Sequence, residues 1–129
     1  MKAISPGTTG TAIRQTSTDH TAASAGNPGV EVLGTAALII FFEDAAHNCI
    51  APYFEEGEGS LGTLVNIEHL GAACAGAEIT ATAKLVQQEG RKLDFEVEVR
   101  DGERLLMKGE HSRVVVNLDR FLNSVKPAI

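Results

Sequence analysis

The segment Thr35–Ile50, TAALIIFFEDAAHNCI, constrains the fold more than any other part of the chain. Its apolar residues run almost all the way round a helix, which predicts a helix that is buried on most sides. Thr35 can cap the start of this helix, and Pro52 closes it shortly after the end. Such a helix needs a sheet wrapped around it, so the rest of the chain must supply strands.

Four segments with strand character follow the predicted helix. They are SLGTLVNIEHL (60–70), AEITATAKLVQQ (77–88), RKLDFEVEVR (91–100) and ERLLMKGEHSRVVVNL (103–118). The third is the most regular, because Leu93, Phe95, Val97 and Val99 alternate with charged residues. Asp101-Gly102 predicts a type I′ hairpin turn after it, and Glu89-Gly90 predicts a similar tight turn one strand earlier.

The remaining segments complete a single domain over residues 1–129. Threonine-rich residues 11–21 predict a first strand, residues 21–31 a loop, and residues 117–125 a short terminal helix. The order of elements therefore predicts the α+β class, with an antiparallel sheet wrapped around one long central helix, the outline of a hot-dog fold. The open edge of such a sheet favours a homodimer or a higher homo-oligomer.

Charge and composition exclude several classes of partner. The net charge of −6 and the pI of about 5.1 argue against nucleic acid, which basic proteins bind. The longest apolar run, residues 36–42, is too short to cross a membrane. The first residues lack a hydrophobic signal region, and Cys49 and Cys74 fit buried small apolar residues in a reducing compartment, so we expect a cytoplasmic protein.

Gly57, Gly59 and Gly62 reproduce the G-x-G-x-x-G pattern of dinucleotide-binding loops. In such loops the glycines leave a strand and enter a helix, whose N-terminus holds the pyrophosphate. Here the order is reversed, because the glycines leave the predicted helix and enter a strand. The pattern therefore predicts a turn and not a nucleotide site, and no histidine lies at a spacing that predicts a metal site.

Glu43 and His69 are the two titratable residues in positions that favour burial. Glu43 lies inside the most apolar helix, where a carboxylate is costly unless it is paired or functional. The other interpretation is that it occupies a solvent-facing strip beside Asp44 and His47. His69 continues the core-facing row of its strand, either as a satisfied core histidine or as an acid–base partner of Glu43.

Two blocks carry a resemblance to a known family. APYFEEGEGSLGT (51–63), followed by His69 at the family's spacing, and GEHSRVVVNLDRF (109–121) resemble the fluoroacetyl-CoA thioesterase family of hot-dog thioesterases. The resemblance covers about residues 34–121. That family uses a threonine, a glutamate and a histidine, which the resemblance places at Thr35, Glu43 and His69, with the Gly62 backbone close to the acyl group. It implies an acyl-CoA substrate that is hydrolysed without a cofactor or a metal.

The resemblance leaves the role of each residue open. Glu43 is a nucleophile that forms a mixed anhydride or a base that activates water, and His69 manages the thiolate and the water. Thr35 orients Glu43 or donates to the thioester oxygen. A regular helix separates Thr35 from Glu43 by about 12 Å, so either the entry is non-helical, the substrate lies between them, or a dimer partner contributes.

The acyl group and the binding of CoA are less constrained. Residues 21–32 lack the aromatic side chains that help to form a lid in the family enzyme, so a small acyl-CoA in general is the expected substrate. A non-catalytic hot-dog dimer that binds an acyl thioester or a small apolar ligand is the alternative. Six basic residues are candidates for holding the CoA phosphates: Lys84, Arg91, Lys92, Lys108, Arg113 and Arg120.

Overall fold

The computed structural model describes residues 1–127, which form a five-stranded antiparallel sheet around a central helix. The elements are β1 (Thr9–Gln15), α1 (Thr35–Ile50), β2 (Glu58–His69), β3 (Glu78–Glu89), β4 (Lys92–Asp101), β5 (Arg104–Asn117) and α2 (Leu118–Ser124). Short 3-10 turns occupy Thr18–His20 and Ala51–Tyr53. The strand order is β1-β3-β4-β5-β2, and every neighbouring pair is antiparallel. The predicted α+β class and hot-dog outline are confirmed.

Helix α1 has the predicted bounds and packs mainly against β1 and β3. Most of its circumference is buried, including Leu38, Phe42 and Ala46. One strip remains open, and Ile40 on that strip is 55% exposed. Within residues 1–127, no helix combines the length and the apolar character that crossing a membrane requires.

The alternation predicted for β3 and β4 is confirmed, and it forms the sheet side of the core. Both strands bury every second residue, and the buried set is Ile79, Ala81, Ala83, Leu85, Leu93, Phe95, Val97 and Val99. The terminal helix α2 also forms as predicted, because Asn117 caps it by accepting a hydrogen bond from the Arg120 N–H.

Five local predictions are wrong. The row of β2 that is predicted to face the core is not buried, because Val65 is 44% exposed and His69 is exposed. The first strand ends at Gln15 rather than at residue 21, because Ser17 and His20 cap the following 3-10 turn through hydrogen bonds with each other's backbone. Gly34, not Thr35, is the N-cap of α1. The turn at Asp101-Gly102 is not type I′, since that type needs positive φ at both central residues and no non-glycine residue in the described chain has it. Cys74 is exposed, whereas Cys49 is buried.

Strand β2 forms an open edge of the sheet beside the exposed strip of α1. Its only strand neighbour among the described residues is β5, so the other side of its backbone has no partner strand. Leu64 and Val65 are 45% and 44% exposed along this edge. Apolar side chains on an unpaired strand are typical of a surface that pairs with another chain.

Candidate active site

Thr35 and His69 meet at one end of the open edge. Thr35 is the first residue of α1 and His69 is the last residue of β2, and the Thr35 Oγ1 lies 2.8 Å from the His69 Nδ1. The Thr35 hydroxyl therefore bonds to the imidazole and does not cap the helix, and the N-cap Gly34 has no side chain to do so. A ring held through one nitrogen keeps the other nitrogen for proton transfer.

Glu43 lies farther along α1, where its side chain reaches Gly62 of β2 and Arg113 near the end of β5. Its side chain is 36% exposed, and its Oε2 lies 3.4 Å from the Arg113 Nη1. Both interpretations of Glu43 therefore hold in part. The side chain lies on the solvent-facing strip of α1, and it is also paired with the buried Arg113. The guanidinium therefore holds the carboxylate at the sheet by a charge-assisted contact.

Arg113 is held rigidly by β2 and by its own strand. Its side chain is 10% exposed, its Nε donates to the Ser60 Oγ at 2.8 Å, and its Nη2 donates to the Ser60 carbonyl at 3.2 Å. Burial lowers the pKa of Arg113 and the Glu43 carboxylate raises it. An arginine of this kind remains charged at neutral pH, so a fixed positive charge faces Glu43.

Gly62 is the residue of β2 over which Glu43 lies. A Cβ atom at this position would come within 2.9 Å of the Glu43 Oε2, so only glycine leaves room for the carboxylate where it stands. The other two glycines of the motif have structural roles. Gly57 adopts a φ of 80° in the turn before β2, and a Cβ at Gly59 would lie 2.7 Å from the Leu118 side chain. The three glycines thus allow the turn into β2, its contact with α2 and its close approach to the Glu43 carboxylate.

The structure separates the predicted residues into two groups. Thr35 and His69 share a hydrogen bond, and Glu43 lies over Gly62, but within residues 1–127 no hydrogen bond joins Glu43 to either Thr35 or His69. Eight residues of regular helix, or about 12 Å, separate Thr35 from Glu43. Gly62 and His69 are seven residues apart, which is about 23 Å of strand. One chain therefore carries two halves of a candidate site.

Arg113 and its neighbour His111 were not recognised as members of the site from the sequence. Arg113 was expected only as one of six possible phosphate ligands, yet it pairs with Glu43. His111 is fully buried beside it, with its Nε2 3.2 Å from the Arg113 Nη1. Alternate residues of a strand face the same side, so His111 and Arg113 lie on the face of β5 that carries the core residue Val115. This alternation is the sequence signal that predicts their burial.

The other basic candidates have different surroundings. Lys84 and Lys92 lie 4.0 Å from Glu96 and Asp94, respectively, and Lys108 lines an outer groove with glutamates such as Glu68. Arg91 pairs with Glu58 at 3.0 Å, and together with Arg120 and Phe121 it lines a cavity of about 340 Å³ between β5 and α2. That cavity is the one described site where two of the candidates converge.

Both the sequence and the fold of the chain are similar to those of known proteins. Residues 16–119 match the family model described as fluoroacetyl-CoA-specific thioesterase. The chain is 38% identical to the fluoroacetyl-CoA thioesterase of Streptantibioticus cattleyicolor over 96 residues, which are 74% of this chain and 69% of that protein. A solved alanine variant of a fluoroacetyl-CoA-specific thioesterase superposes with a TM-score of 0.91 at 30% identity, over 97% of each chain. A threonine-to-serine variant solved with acetyl-CoA gives 0.89 at 31% identity, over 95% of this chain and 96% of the other.

Proposed function

The chain belongs to the fluoroacetyl-CoA-specific thioesterase family, and on that premise we propose that it hydrolyses a small acyl-CoA to the free acid and CoA through Thr35, Glu43 and His69. The observation that carries the proposal is the placement of all three side chains along the open β2 edge, with Thr35 bonded to His69 and Glu43 lying over Gly62. A non-catalytic binding protein has no need for this set of acid–base groups.

Each group has a chemical role in the proposed reaction. Glu43 attacks the thioester carbonyl to give a mixed anhydride and CoA thiolate, or it takes a proton from the water that attacks. His69 gives a proton to the departing sulfur and helps to activate the water, and Thr35 orients the His69 ring or donates to the thioester oxygen. The backbone N–H of Gly62 would help to hold the oxyanion, and such a donor contributes about 3 kcal/mol.

The two halves of the site are proposed to meet across a homodimer. If two β2 strands pair antiparallel about an axis between Val65 and Asn66, the partner subunit's His69 lies opposite Gly62 and hence beside Glu43. The exposed Leu64 and Val65 on the edge, with Ile40 on the helix strip beside it, support this surface as the interface. Each dimer would then contain two equivalent sites.

The proposed substrate is a small acyl group without restriction to fluoroacetyl. Residues 21–32 contain no aromatic side chain, so no ring from this segment can cover the acyl group. A cavity of about 260 Å³ at the start of α1 is lined by small residues such as Ala36 and Ala37 and by the larger Ile40 and Phe41. For CoA, we propose that Arg91 and Arg120 hold phosphate groups, because α2 packs against Gly59 and so keeps their cavity close to the Glu43 end of β2. The cytoplasm is the proposed location, since it contains acyl-CoA and keeps cysteines such as Cys49 and Cys74 reduced.

A panel of acyl-CoA esters tests this function by release of free thiol. The panel contains acetyl-, fluoroacetyl-, propionyl-, butyryl- and hexanoyl-CoA, and we expect turnover of at least the two-carbon to four-carbon esters. Binding of each ester is measured in parallel by calorimetry. Binding without thiol release from any ester would contradict hydrolysis and support the non-catalytic acyl thioester-binding dimer instead.

Gly62→Ala is expected to lower kcat/KM by about tenfold to a hundredfold, with a modest fall in the melting temperature. The added methyl group lies 2.9 Å from the end of the flexible Glu43 side chain, which leaves its working position, and 3.2 Å from the buried His111 ring, which must shift slightly. The φ of Gly62 is not positive, so alanine adds no backbone strain.

Gly59→Ala is the matched control for this substitution. Its added methyl group meets the Leu118 side chain of α2 rather than the carboxylate, so kcat should remain close to that of the wild type, and any effect through the CoA cavity should appear in KM. Thiol-release kinetics and thermal melts measure both variants. Full kcat/KM in Gly62→Ala would mean that Glu43 does not act from its position over Gly62.

A further inference from the structure

His111 is a fully buried histidine whose two ring nitrogens both have partners. Its Nδ1 lies 2.8 Å from the Leu64 carbonyl oxygen, which can only accept, so the Nδ1 carries the proton and donates it. Its Nε2 lies 3.2 Å from the Arg113 Nη1, and a guanidinium can only donate. The neighbours therefore fix one neutral tautomer, with a lone pair on the Nε2 that accepts from Arg113.

The ring is held in this orientation by packing as well. It lies edge-on to Phe42, with ring centroids 5.3 Å apart, and is stacked on Phe95 at 6.2 Å. The Leu64 carbonyl belongs to the irregular part of the β2–β5 pairing between Gly62 and Leu64. At this irregularity the Leu64 carbonyl faces the ring and accepts its hydrogen bond. The same short stretch of β2 therefore supplies both Gly62, over which Glu43 lies, and the acceptor that orients His111.

The guanidinium of Arg113 has its donors distributed over three residues. Ser60 accepts from the Nε and from the Nη2, and the Nη1 lies within reach of both His111 and Glu43. The two hydrogens of the Nη1 point in different directions, so a bond to the His111 Nε2 directs the second hydrogen toward the carboxylate. Without an acceptor at His111, this end of the guanidinium would have only the half-exposed Glu43 to hold it.

We propose that His111 is a positioning residue, which acts as a neutral hydrogen-bond acceptor that directs Arg113 toward the Glu43 carboxylate. The inference rests on the proposed hydrolysis for its effect on rate, but the orientation of Arg113 is a property of the folded chain itself. His111 does not touch the substrate in this scheme. It acts through Arg113, which holds Glu43 in place over Gly62.

The hydrogen bond from Arg113 to His111 should depend on pH. Burial, and then the nearby Arg113, lower the pKa of His111, whereas the Leu64 carbonyl and Glu43 raise it. The charged groups around the ring are Arg113 on its own strand and Glu43 on α1, with Asp44 beside them; β4 presents Phe95, and the alternation of that strand turns Asp94 away. The ring is therefore neutral at pH 7. Protonation would turn the Nε2 from an acceptor into a donor that faces another donor, so activity should fall as the pH falls through the lowered pKa of His111.

Two substitutions separate positioning from simple packing. His111→Gln keeps a donor for Leu64 and an acceptor for Arg113 but cannot titrate, whereas His111→Phe keeps an aromatic ring between Phe42 and Phe95 but has neither. We expect His111→Phe to lower kcat by about tenfold to a hundredfold with little change in KM. His111→Gln should keep most of the wild-type kcat. Its activity should no longer show the part of the fall at low pH that protonation of His111 causes. The opposite order, with phenylalanine active and glutamine inactive, would mean that the ring only fills space.

A readout without turnover distinguishes failure of this inference from failure of the proposed function. Nitrogen-15 NMR of the guanidinium reports whether rotation of Arg113 is hindered, with Arg113→Lys used to assign its signals. Resolved, slowly exchanging Arg113 signals in the wild type and His111→Gln, and their loss in folded His111→Phe, would support the positioning role even if no acyl-CoA were hydrolysed. Equally hindered Arg113 signals in His111→Phe would overturn it, whatever the activity.

Discussion

Glu43→Gln is expected to lower kcat for acyl-CoA hydrolysis by about 10²-fold to 10⁴-fold. Glutamine has the shape of glutamate and still offers an oxygen to the Arg113 Nη1, which lies 3.4 Å from the Glu43 Oε2. It carries no negative charge, so it can neither attack the thioester carbonyl nor take a proton from water. KM and the melting temperature should change little, because the shape of the site is kept.

The neighbouring carboxylate provides a matched control. Asp44 lies on the same open strip and pairs with Arg14 at 3.0 Å, with 40% of its side chain exposed. Asp44→Asn removes the same charge one residue away, and we expect activity near that of the wild type because an exposed ion pair contributes little. Thiol release measured at saturating acyl-CoA compares the two variants. Unchanged kcat in Glu43→Gln would contradict both roles proposed for the carboxylate.

Rapid mixing of the wild-type protein then separates these two roles. If Glu43 is the nucleophile and hydrolysis of the anhydride is slow, a burst of about one thiol per site precedes the steady state. The acyl group would then be found on Glu43 by mass spectrometry of the quenched protein. If Glu43 is the base, thiol and acid are released together, and no acyl group is attached to the chain.

Local signals in the sequence were sufficient to predict most of the fold. The apolar pattern of α1 is long and Pro52 follows it closely, and β3 and β4 alternate regularly enough to define the inner face of the sheet. Composition predicts too long a first strand, because threonine favours strands in general. In the structure the Ser17 and His20 side chains bond to the local backbone and form a turn instead. Competition of that kind depends on the backbone conformation, which composition does not specify.

The candidate site could be predicted only in part, because its contacts depend on strand register. Glu43 and His69 were identifiable as polar groups in apolar elements, and the resemblance added Thr35. The bond between Arg113 and Ser60, however, depends on pairing Gly62 with Arg113 in β2 and β5. The hairpin signals do not reveal this pairing, since β2 and β5 are far apart in the chain. Thr35 was expected to cap α1, and its contact with His69 depends on the same long-range geometry.

Mixing two inactive variants is expected to restore activity if the site is completed across the dimer. In a mixed dimer of Glu43→Gln and His69→Ala, one site carries both substitutions and the other carries neither. Random exchange of subunits makes half of the dimers mixed, and each has one intact site of two, so we expect about a quarter of wild-type activity. The restored rate should exceed that of either parent by a large factor, because both parents have a defect in every site.

The physical basis of this prediction is the distance between the two halves of the site in one chain. Thr35 and His69 lie together, and Glu43 lies over Gly62, about 23 Å of strand away from His69. A side chain of either residue cannot span that length, whereas antiparallel pairing of two β2 edges brings opposite ends together.

A substitution of Val65 by lysine on this edge should weaken the same pairing and lower activity together with the dimer fraction.

Thr35→Ala mixed with His69→Ala is the matched control for the exchange. These two residues belong to the same half of the site, so each site of their mixed dimer contains one of the two defects and activity should stay at the parental level. Subunits are exchanged by gentle unfolding and refolding, and native mass spectrometry of differently tagged chains measures the mixed fraction. Recovery in the first mixture but not in the second requires that one subunit supplies Glu43 and the other supplies both Thr35 and His69. Absence of recovery in both mixtures, with mixed dimers present, would place the complete site within one chain and require a movement that brings His69 to Glu43.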